Sequence, residues 1–268
     1  MRLEGCNALI TGASAGIGRE FARLLAPRAR SIVLVARRRE RLEELRDELS
    51  RQNPNLTVHI REIDLAEKEQ VQQLVQSLQP EMIEVDLLIN NAGLGDLGSF
   101  ADSDVEKIEK MLLVNTFALT LLTRNLLPAM ITQKNGGILN VSSSAGFLPI
   151  AEFSVYAATK AYVTSFSEAL RAELRGTGVS VCALCPGPVH TEFTQVAKRS
   201  DASADLPGAE IVYVSASDVA RAGLDALVND RALVIPGLVM KIGMALVRML
   251  PMAILRLASE ISAKRARS

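Results

Sequence analysis

The sequence predicts an α/β fold in which helices cover both faces of a parallel sheet. Short apolar runs suited to buried strands alternate along the chain with longer segments whose apolar residues recur at helical spacing. Glycines and polar residues directly follow several of these runs, and in such sheets ligands bind at the carboxyl ends of the strands. The 268 residues are enough for one large domain, which we assign to residues 1–237, followed by a helical extension over residues 238–268.

Composition and charge favour a small-molecule partner. Lys and Arg together number 30, as do Asp and Glu, and no large block of one charge stands out, so nothing indicates a nucleic-acid partner. The N-terminus enters a strand without the features of a signal peptide, which predicts a cytoplasmic protein. Cys182 and Cys185 have C-x-x-C spacing, but they lie in an apolar run typical of a buried strand, where they would face opposite ways. We therefore expect neither a redox pair nor a metal site.

A glycine-rich turn follows the first predicted strand. Residues 7–11 are apolar, residues 12–18 read GASAGIG, and the segment after them has helical spacing. Such a turn presents backbone N–H groups and a helix N-terminus to a pyrophosphate, although the same pattern also occurs as a purely structural turn. Its place between the first strand and the first helix favours dinucleotide binding.

Arginines follow the second predicted strand, residues 31–36. At this point a dinucleotide-binding fold meets the adenosine ribose, where an acidic residue suits a free 2′-hydroxyl and a basic residue suits a 2′-phosphate. Arg37 and Arg38 therefore predict a preference for NADP(H) over NAD(H). The alternative is that they belong to the solvated start of the next helix, a position that does not favour cations.

Two further strands end in polar residues at the same predicted edge. Residues 56–60 form an apolar run ahead of Asp64 and Leu65, where an adenine could be held, and residues 85–89 lead into the NNAG sequence at 90–93. The carboxyl ends of parallel strands meet at one edge of a sheet. These residues are thus expected to border one ligand site together with the glycine turn.

A phenol and an amine lie four residues apart in the helical segment that follows the apolar run ILNV. Tyr156 and Lys160 therefore share one face of a helix. Because a nearby ammonium favours the phenolate, Lys160 is expected to lower the pKa of Tyr156 from its usual value of about 10. Ser143, at the end of the strand, supplies a hydroxyl for a carbonyl or alkoxide oxygen. Taken alone, Tyr-x-x-x-Lys is also a common coincidence on amphipathic helices.

Asn115 stands out in a long helical pattern over residues 103–130 because its neighbours are apolar. A buried amide needs hydrogen-bond partners or carries a penalty. Either a bend in the helix or a bound water could satisfy the hydrogen-bonding groups of this amide.

Several motifs together resemble the classical short-chain dehydrogenase/reductase family in order and spacing. They are TGASAGIG at 11–18, NNAG at 90–93, Asn115, Ser143, Tyr156-x-x-x-Lys160 and the Pro-Gly motif that runs to Thr191. The resemblance covers residues 5–235 approximately and implies a three-layer, Rossmann-type, doubly wound sheet of seven parallel strands. It also implies cofactor contacts from Gly12, Ser14, Ala15, Gly16, Ile17, Gly18, Arg37, Arg38, Asp64, Leu65, Asn91, Ala92, Gly93, Val114, Tyr156, Lys160, Pro186, Gly187, Val189 and Thr191.

The resemblance assigns roles to a catalytic tetrad. Tyr156 would be the general acid for reduction and the base for oxidation, and Ser143 would orient the substrate oxygen. Lys160 would lower the tyrosine pKa and hold the nicotinamide ribose, and Asn115 would anchor a water that links Lys160 to solvent. The reaction would move a hydride between a nicotinamide and a carbonyl or alcohol. A non-enzymatic NADP(H)-binding sensor or scaffold on the same fold is the alternative.

The substrate segment is expected over residues 188–215, a loop-rich stretch of small and polar residues that is typical of a lid. His190 within it is a candidate substrate contact, although an exposed lid histidine without a role is the simpler interpretation. An apolar pocket suited to lipophilic carbonyls is predicted from Phe147, Leu148, Pro149, Phe153 and Phe193.

The extension over residues 238–268 is strongly apolar but is interrupted by charges and by Pro251, so two short amphipathic helices are expected rather than a membrane span. Lys241 and Arg248 share a face, and the end of the chain is basic, which favours a peripheral contact with anionic lipid. Packing over the substrate pocket or in an oligomer interface is the competing interpretation. Members of the resembled family commonly pair through the Asn115 and Tyr156 helices, which implies a homodimer or homotetramer.

Overall fold

Strands and helices alternate along the chain as predicted. The computed structural model describes residues 1–199 and 212–267, without the side chains of residues 258 and 261–267. The strands are β1 Asn7–Thr11, β2 Ser31–Ala36, β3 Thr57–Glu62, β4 Leu87–Asn90, β5 Gly136–Val141, β6 Val179–Leu184 and β7 Leu233–Val234. The helices are α1 Gly16–Leu25, α2 Arg39–Gln52, α3 Lys68–Leu78, α4 Val105–Leu112, α5 Leu119–Gln133, α6 Ser154–Glu173, α7 Glu192–Ala197, α8 Ala216–Val228, α9 Leu238–Met249 and α10 Met252–Arg267.

The seven strands form one sheet in the order β3-β2-β1-β4-β5-β6-β7. Every adjacent pair is parallel. The chain winds outward from β1 in one direction and from β4 in the other, so the strand order reverses between these two strands. A crevice opens at such a switch point, outside the carboxyl ends of the strands. The predicted seven-stranded, doubly wound parallel sheet is confirmed.

The sheet separates two apolar layers, because successive strand residues point to opposite faces. In β1, Ala8 and Ile10 pack into one layer and Leu9 into the other. The first layer includes Phe21 from α1 and Leu224 from α8. The second layer is built with α3, α5 and α6. Three layers of secondary structure therefore hold the strand ends in fixed positions.

Several element bounds differ from the sequence pattern. β3 extends to Glu62 and β4 begins at Leu87, whereas the apolar runs suggested residues 56–60 and 85–89. The predicted continuous helix over residues 103–130 is interrupted, because residues 113–118 form a π-turn between α4 and α5. An apolar pattern indicates which residues are buried. It does not indicate where the hydrogen-bond register of a helix changes, because that also depends on tertiary contacts.

The stretch Val105–Thr132, which spans α4 and α5, is long and apolar enough by length and composition to cross a membrane. Its mean hydropathy is 1.2, and 44% of the most apolar window is buried inside the protein. Leu122 and Met130 belong to the core. A core helix passes the same test of length and composition, so this stretch carries no membrane assignment.

Two helices, α9 and α10, occupy the predicted C-terminal extension and are separated at Pro251. Met240 and Met244 face the body of the protein, where Met244 is buried. The opposite side of α9 is apolar and open to solvent, with exposed Leu238, Ile242, Leu246 and Met249. The extension thus has one apolar face on the protein and another that the described chain leaves uncovered.

Candidate active site

The glycine turn between β1 and α1 has a backbone that only glycine adopts easily. Gly12 and Gly16 have φ angles of 67° and 54°, in the left-handed region. Gly18 has no room for a side chain, because a Cβ there would collide with the carbonyl oxygen of Gly12. The first turn of α1 reads Gly-Ile-Gly-Arg, so its own sequence brings no carboxylate to the positive end of the helix. The turn fits a pyrophosphate.

A cavity of about 610 Å³ runs from this turn to Tyr156. Its wall contains nearly all of the residues for which the sequence predicted a cofactor or catalytic role. They are Gly12, Ser14, Ala15, Gly16, Ile17, Arg37, Arg38, Asp64, Leu65, Asn91, Ala92, Gly93, Val114, Ser143, Tyr156, Lys160, Pro186, Gly187, Val189 and Thr191. Two predicted residues lie behind the wall: Gly18 packs against Gly12, and Asn115 is buried.

Hydrogen bonds join the ends of β1 and β4 at the switch point. The hydroxyl of Thr11 accepts from the backbone N–H groups of Asn91 at 2.9 Å and of Ala92 at 3.0 Å. The side-chain amide of Asn91 donates back to the carbonyl oxygen of Thr11 at 2.9 Å. These bonds hold the glycine turn and the Asn91–Gly93 segment against each other, so the two predicted motifs form one continuous wall.

Arg37 and Arg38 lie on the cavity wall, directly before α2. Arg37 Nη1 is 3.8 Å from Asp64 Oδ2. Arg38 Nη2 donates to Ser14 Oγ at 3.1 Å, and its Nη1 donates to Glu192 Oε2 at 2.8 Å. Two partly exposed guanidinium groups beside a serine hydroxyl suit a phosphate group, as the predicted NADP(H) site requires.

Three groups of the predicted tetrad meet at the inner end of the cavity. Ser143 follows β5, and Tyr156 and Lys160 lie in the first two turns of α6, with 7% and 3% of their surface exposed. The Ser143 side chain lies close enough to the Tyr156 phenol to lower its pKa. Lys160 Nζ donates to the carbonyl oxygen of Val141 at 2.9 Å, and Ser142 Oγ donates to the carbonyl oxygen of Lys160 at 2.7 Å. α6 is thereby fixed to the end of β5.

Burial determines the protonation states of Tyr156 and Lys160. Loss of solvent raises the pKa of Tyr156 to about 12, although the nearby Ser143 side chain opposes the change. Burial also lowers the pKa of Lys160 to about 8, which leaves the ammonium mostly protonated at pH 7. The expected lowering of the Tyr156 pKa by Lys160 is not found. The ammonium lies 5.6 Å from the centre of the phenol ring and is hydrogen-bonded to Val141, so desolvation outweighs its attraction.

Asn115 lies in the π-turn and uses its buried amide to hold the strand-end loop. Its Oδ1 accepts from the backbone N–H of Leu94 at 2.8 Å, and its Nδ2 donates to the carbonyl oxygen of Leu94 at 2.9 Å. The same Nδ2 also donates to Thr159 Oγ1 at 3.0 Å. The amide therefore links the loop after β4 to α6, one residue from Lys160. Its role in anchoring a water stays a prediction.

Apolar side chains line the cavity around Tyr156. The ring of Phe153 stacks on Tyr156 with centroids 4.3 Å apart, and the Phe193 ring lies 5.4 Å away. Leu148 also lines the cavity. Two of the predicted pocket residues do not: Phe147 packs beneath the Arg248 guanidinium, and Pro149 is exposed on the surface. Their strand-end loop turns them away from the cavity.

The predicted lid is described over residues 188–199 and 212–215, and residues 200–211 lie outside the described part. α7 carries Phe193 onto the cavity wall. The candidate substrate contact His190 does not line the cavity, because its exposed ring stacks on Tyr213 at 4.3 Å. His190 thus faces away from Tyr156 in this structure.

A sequence model of the family described as short chain dehydrogenase matches residues 6–202, well over half of the chain. The chain belongs to the short-chain dehydrogenases. It is therefore an oxidoreductase of this family, and the predicted family is confirmed. The NADP-dependent 3-hydroxy acid dehydrogenase YdfG of Escherichia coli K12 is 37% identical to it over 217 residues, which cover 80% of this chain and 86% of the relative.

Solved structures of other short-chain dehydrogenases share the fold over most of their length. A short-chain dehydrogenase from Sphingobium yanoikuyae in complex with NADPH matches with a TM-score of 0.78 and 30% identity, and 92% of this chain and 97% of that chain are covered. The bulky-bulky ketone specific alcohol dehydrogenase from Comamonas testosteroni matches with a TM-score of 0.74 and 27% identity, and 92% of this chain and 96% of that chain are covered.

Some cavity residues of this short-chain dehydrogenase were missed by the sequence reasoning. Glu192 reaches across the cavity to Arg38, and Met240 and Met244 of α9 form part of its wall. The two methionines lie four residues apart, so they share one face of α9. That spacing could have indicated a buried face, but nothing in the sequence indicated which part of the protein it covers.

Proposed function

We propose that the protein is an NADP(H)-dependent oxidoreductase that interconverts a carbonyl and an alcohol on a neutral, lipophilic substrate. The observation that carries the proposal is the buried group of Ser143, Tyr156 and Lys160 at the inner end of a cavity that begins at a glycine turn and two arginines. A proton donor and a nucleotide site thus share one enclosed space.

The nucleotide would be held by residues that already fit its parts. The glycine turn and the N-terminus of α1 suit the pyrophosphate, and Arg37 and Arg38 suit a 2′-phosphate. Relatives named NADP-dependent or solved with NADPH support this cofactor. When bound, it supplies the hydride to the carbonyl carbon or accepts it from the alcohol carbon.

Tyr156 would handle the proton. With a pKa of about 12 the phenol is neutral at pH 7 and can donate its proton to the carbonyl oxygen as the hydride reaches the carbon. Ser143, which lines the cavity beside Tyr156, would hold the same oxygen. Reduction is the direction that this protonation state favours, since oxidation needs the phenolate as base.

A neutral substrate is supported by where the charges lie. The cations on the described cavity wall, Arg37, Arg38 and Lys160, are all assigned to the cofactor or the proton path. The substrate end is lined by apolar side chains such as Phe153, Phe193 and Met244. Residues 200–211, outside the described part, contain no Lys or Arg. A hydroxy-acid substrate would bring a carboxylate to this end, where burial of an unpaired charge is costly.

NADPH consumption should be measured over a panel of bulky neutral ketones, small neutral ketones and 3-oxo acids. We expect the neutral lipophilic ketones to be reduced with the highest kcat/KM. Tyr156→Phe should lower kcat by roughly 100-fold to 10,000-fold, while NADPH affinity stays unchanged. Activity that survives removal of the phenol would refute the proton path. NADPH binding without turnover of any carbonyl would favour the sensor or scaffold alternative.

We further propose a homodimer or homotetramer that pairs through α4, α5 and α6. Leu112 on α4, Phe117 in the π-turn before α5 and Tyr162 on α6 are large apolar or aromatic residues that stay 39–44% exposed. Light scattering should give a mass of two or four chains, and Phe117→Glu should shift it toward one. A monomeric wild-type protein would contradict the proposal.

We also propose that the protein is cytoplasmic and contacts anionic lipid through α9 and α10. The exposed apolar face of α9 is flanked by Lys241 and Arg248, and no Asp or Glu occurs from residue 238 to 259. The protein should float with phosphatidylglycerol liposomes, and Ile242→Ser with Leu246→Ser should abolish flotation. Val105→Ser, which alters an exposed apolar residue on α4, is the control. A wild-type protein that stays with the unbound fraction would contradict lipid contact.

A further inference from the structure

Glu192 spans the cofactor cavity and binds Arg38 on its opposite wall, together with Arg41, which does not line the cavity. It is the first residue of α7, in the predicted lid, whereas Arg38 and Arg41 belong to the segment after β2. Its Oε2 accepts from Arg38 Nη1 at 2.8 Å, and its Oε1 accepts from Arg41 Nη1. The two guanidinium groups lower the pKa of Glu192 to about 2. One carboxylate thus connects both sides of the cleft.

This contact occupies Arg38, one of the two arginines that a 2′-phosphate would use. Arg38 Nη1 donates to Glu192, and Arg38 Nη2 donates to Ser14 Oγ at 3.1 Å. A phosphate bound to Arg38 would bring its negative charge next to the Glu192 carboxylate. The hydroxyl can turn and donate to the phosphate, whereas Glu192 carries a negative charge and repels it. The carboxylate is therefore the group that has to leave.

Displacement of Glu192 would also move the residues on either side of it in sequence, Thr191 and Phe193. Thr191 lies over the glycine turn, since a Cβ on Gly16 would come within 3.1 Å of its side chain. Phe193, the residue after Glu192, has its ring 5.4 Å from the Tyr156 ring. The N-terminus of α7 therefore contacts the pyrophosphate turn, the arginine pair and the catalytic phenol within three consecutive residues.

We propose that Glu192 competes with the 2′-phosphate of the cofactor for Arg38, and that its release from Arg38 and Arg41 couples cofactor binding to the position of α7. The carboxylate holds both arginines and keeps α7 across the cleft when no phosphate is present. A 2′-phosphate takes Arg38, and its charge repels Glu192 and frees α7. Glu192 is thus a specificity-determining residue for the cofactor and a positioning residue for the lid. This inference rests on the proposed use of NADP(H).

The competition can be measured on the full chain with two nucleotide probes that differ in one phosphate. Calorimetry should give the Kd of adenosine 2′,5′-bisphosphate and of adenosine 5′-monophosphate for the wild type and for Glu192→Gln. Glu192→Gln should bind the bisphosphate roughly 3-fold to 10-fold more tightly. The affinity for the monophosphate should change less than about twofold. An unchanged or weaker affinity for the bisphosphate would overturn the competition.

A matched control is available on α2. Glu43 pairs with Arg39 at 2.9 Å on the same helix as Arg41 but does not line the cavity. Glu43→Gln should leave both affinities unchanged, and an equal gain in this variant would overturn a specific role for Glu192. A wild type that binds the two probes equally would instead contradict the proposed NADP(H) preference. The two failures are therefore distinguishable.

Hydrogen exchange tests the coupling to the lid. In the wild type, the bisphosphate should increase exchange of the backbone amides of residues 192–197, because α7 loses its contact with the arginines. In Glu192→Gln those amides should exchange quickly before any ligand is added. Exchange in α7 that does not respond to the bisphosphate in the wild type would overturn the coupling.

Discussion

Lys160 is a buried ammonium that the protein holds at a cost in stability. Its side chain is 3% exposed and donates to the carbonyl oxygen of Val141, and burial lowers its pKa from 10.5 to about 8. At about 1.4 kcal/mol for each pH unit, the charged form costs roughly 3 kcal/mol at pH 7. Active sites commonly retain such groups because the chemistry requires them.

Lys160→Met should therefore give a more stable but inactive protein. The unfolded chain keeps the lysine proton up to about pH 10.5 and the folded chain releases it near pH 8, so wild-type stability rises with pH between these values. The variant should gain roughly 1–3 kcal/mol at pH 7, and the gain should shrink by roughly 2 kcal/mol by pH 9.5. Urea unfolding at both pH values measures it. A variant less stable than the wild type at pH 7 would contradict this account.

At this scale the sequence predicted which side chains meet but not their protonation. The spacing of Tyr156 and Lys160 placed both on one helix face, and both line the cavity. The predicted direction of the Tyr156 pKa was wrong for this structure, because burial raises that pKa. Part of this burial comes from residues far away in sequence, such as Phe193 of α7. Local spacing contains no information on such burial.

Among the elements, α7 is short but firmly tied to the loop after β4. The backbone N–H of Leu97 donates to the carbonyl oxygen of Ala197 at 2.8 Å. The backbone N–H of Arg199 donates to the carbonyl oxygen of Leu97 at 3.2 Å. The Arg199 guanidinium donates to the carbonyl oxygens of Ser99 at 2.6 Å and Asp102 at 2.8 Å. The C-terminal end of α7 is therefore anchored, while its N-terminal end depends on Glu192.

Asp96 supplies the negative charge at that anchor. Its buried carboxylate lies 2.7 Å from Lys107 Nζ and 3.7 Å from Arg199 Nε. Asp96→Asn should lower the free energy of unfolding by roughly 1–3 kcal/mol, because it removes the anion that faces the partly buried Arg199 and the more exposed Lys107. It should also speed proteolysis near α7. Asp102→Asn is the control, since Arg199 contacts the backbone of Asp102; equal losses in the two variants would contradict a role for the Asp96 charge.

In the helical segment that carries Asn115, the sequence predicted the helix but not the π-turn that interrupts it. An apolar pattern over residues 103–130 predicted one continuous helix, and most of it is helical. The π-turn at 113–118 turns the Asn115 amide toward Leu94 and Thr159, with which it makes three hydrogen bonds. Because those partners come from two other elements, the turn is set by tertiary contacts. The buried amide was the only local sign of it.

At the scale of the whole molecule, the sheet, the cofactor edge and the two helices of the C-terminal extension were predictable, but the surface on which the extension packs was not. Strand ends carry glycines, arginines and asparagines whose convergence follows from parallel topology alone. The place of α9 depends on a contact with the Pro-Gly loop, where a Cβ on Gly187 would collide with the Met240 side chain at 2.5 Å. Amphipathic spacing predicts that a helix buries one face, but leaves open what that face covers.

α9 should control the size of the substrate because Met240 and Met244 form part of the cavity wall near its apolar end. Replacing both with Ala should raise kcat/KM for bulky ketones relative to small ones by about tenfold, since a hydrophobic pocket gains or loses this much for one or two methylene groups. NADPH affinity should not change. Met249→Ala is the matched control, because Met249 is 82% exposed on the outer face of the same helix. A preference that stays fixed in the double variant, or shifts equally in the control, would show that α9 does not shape the substrate site.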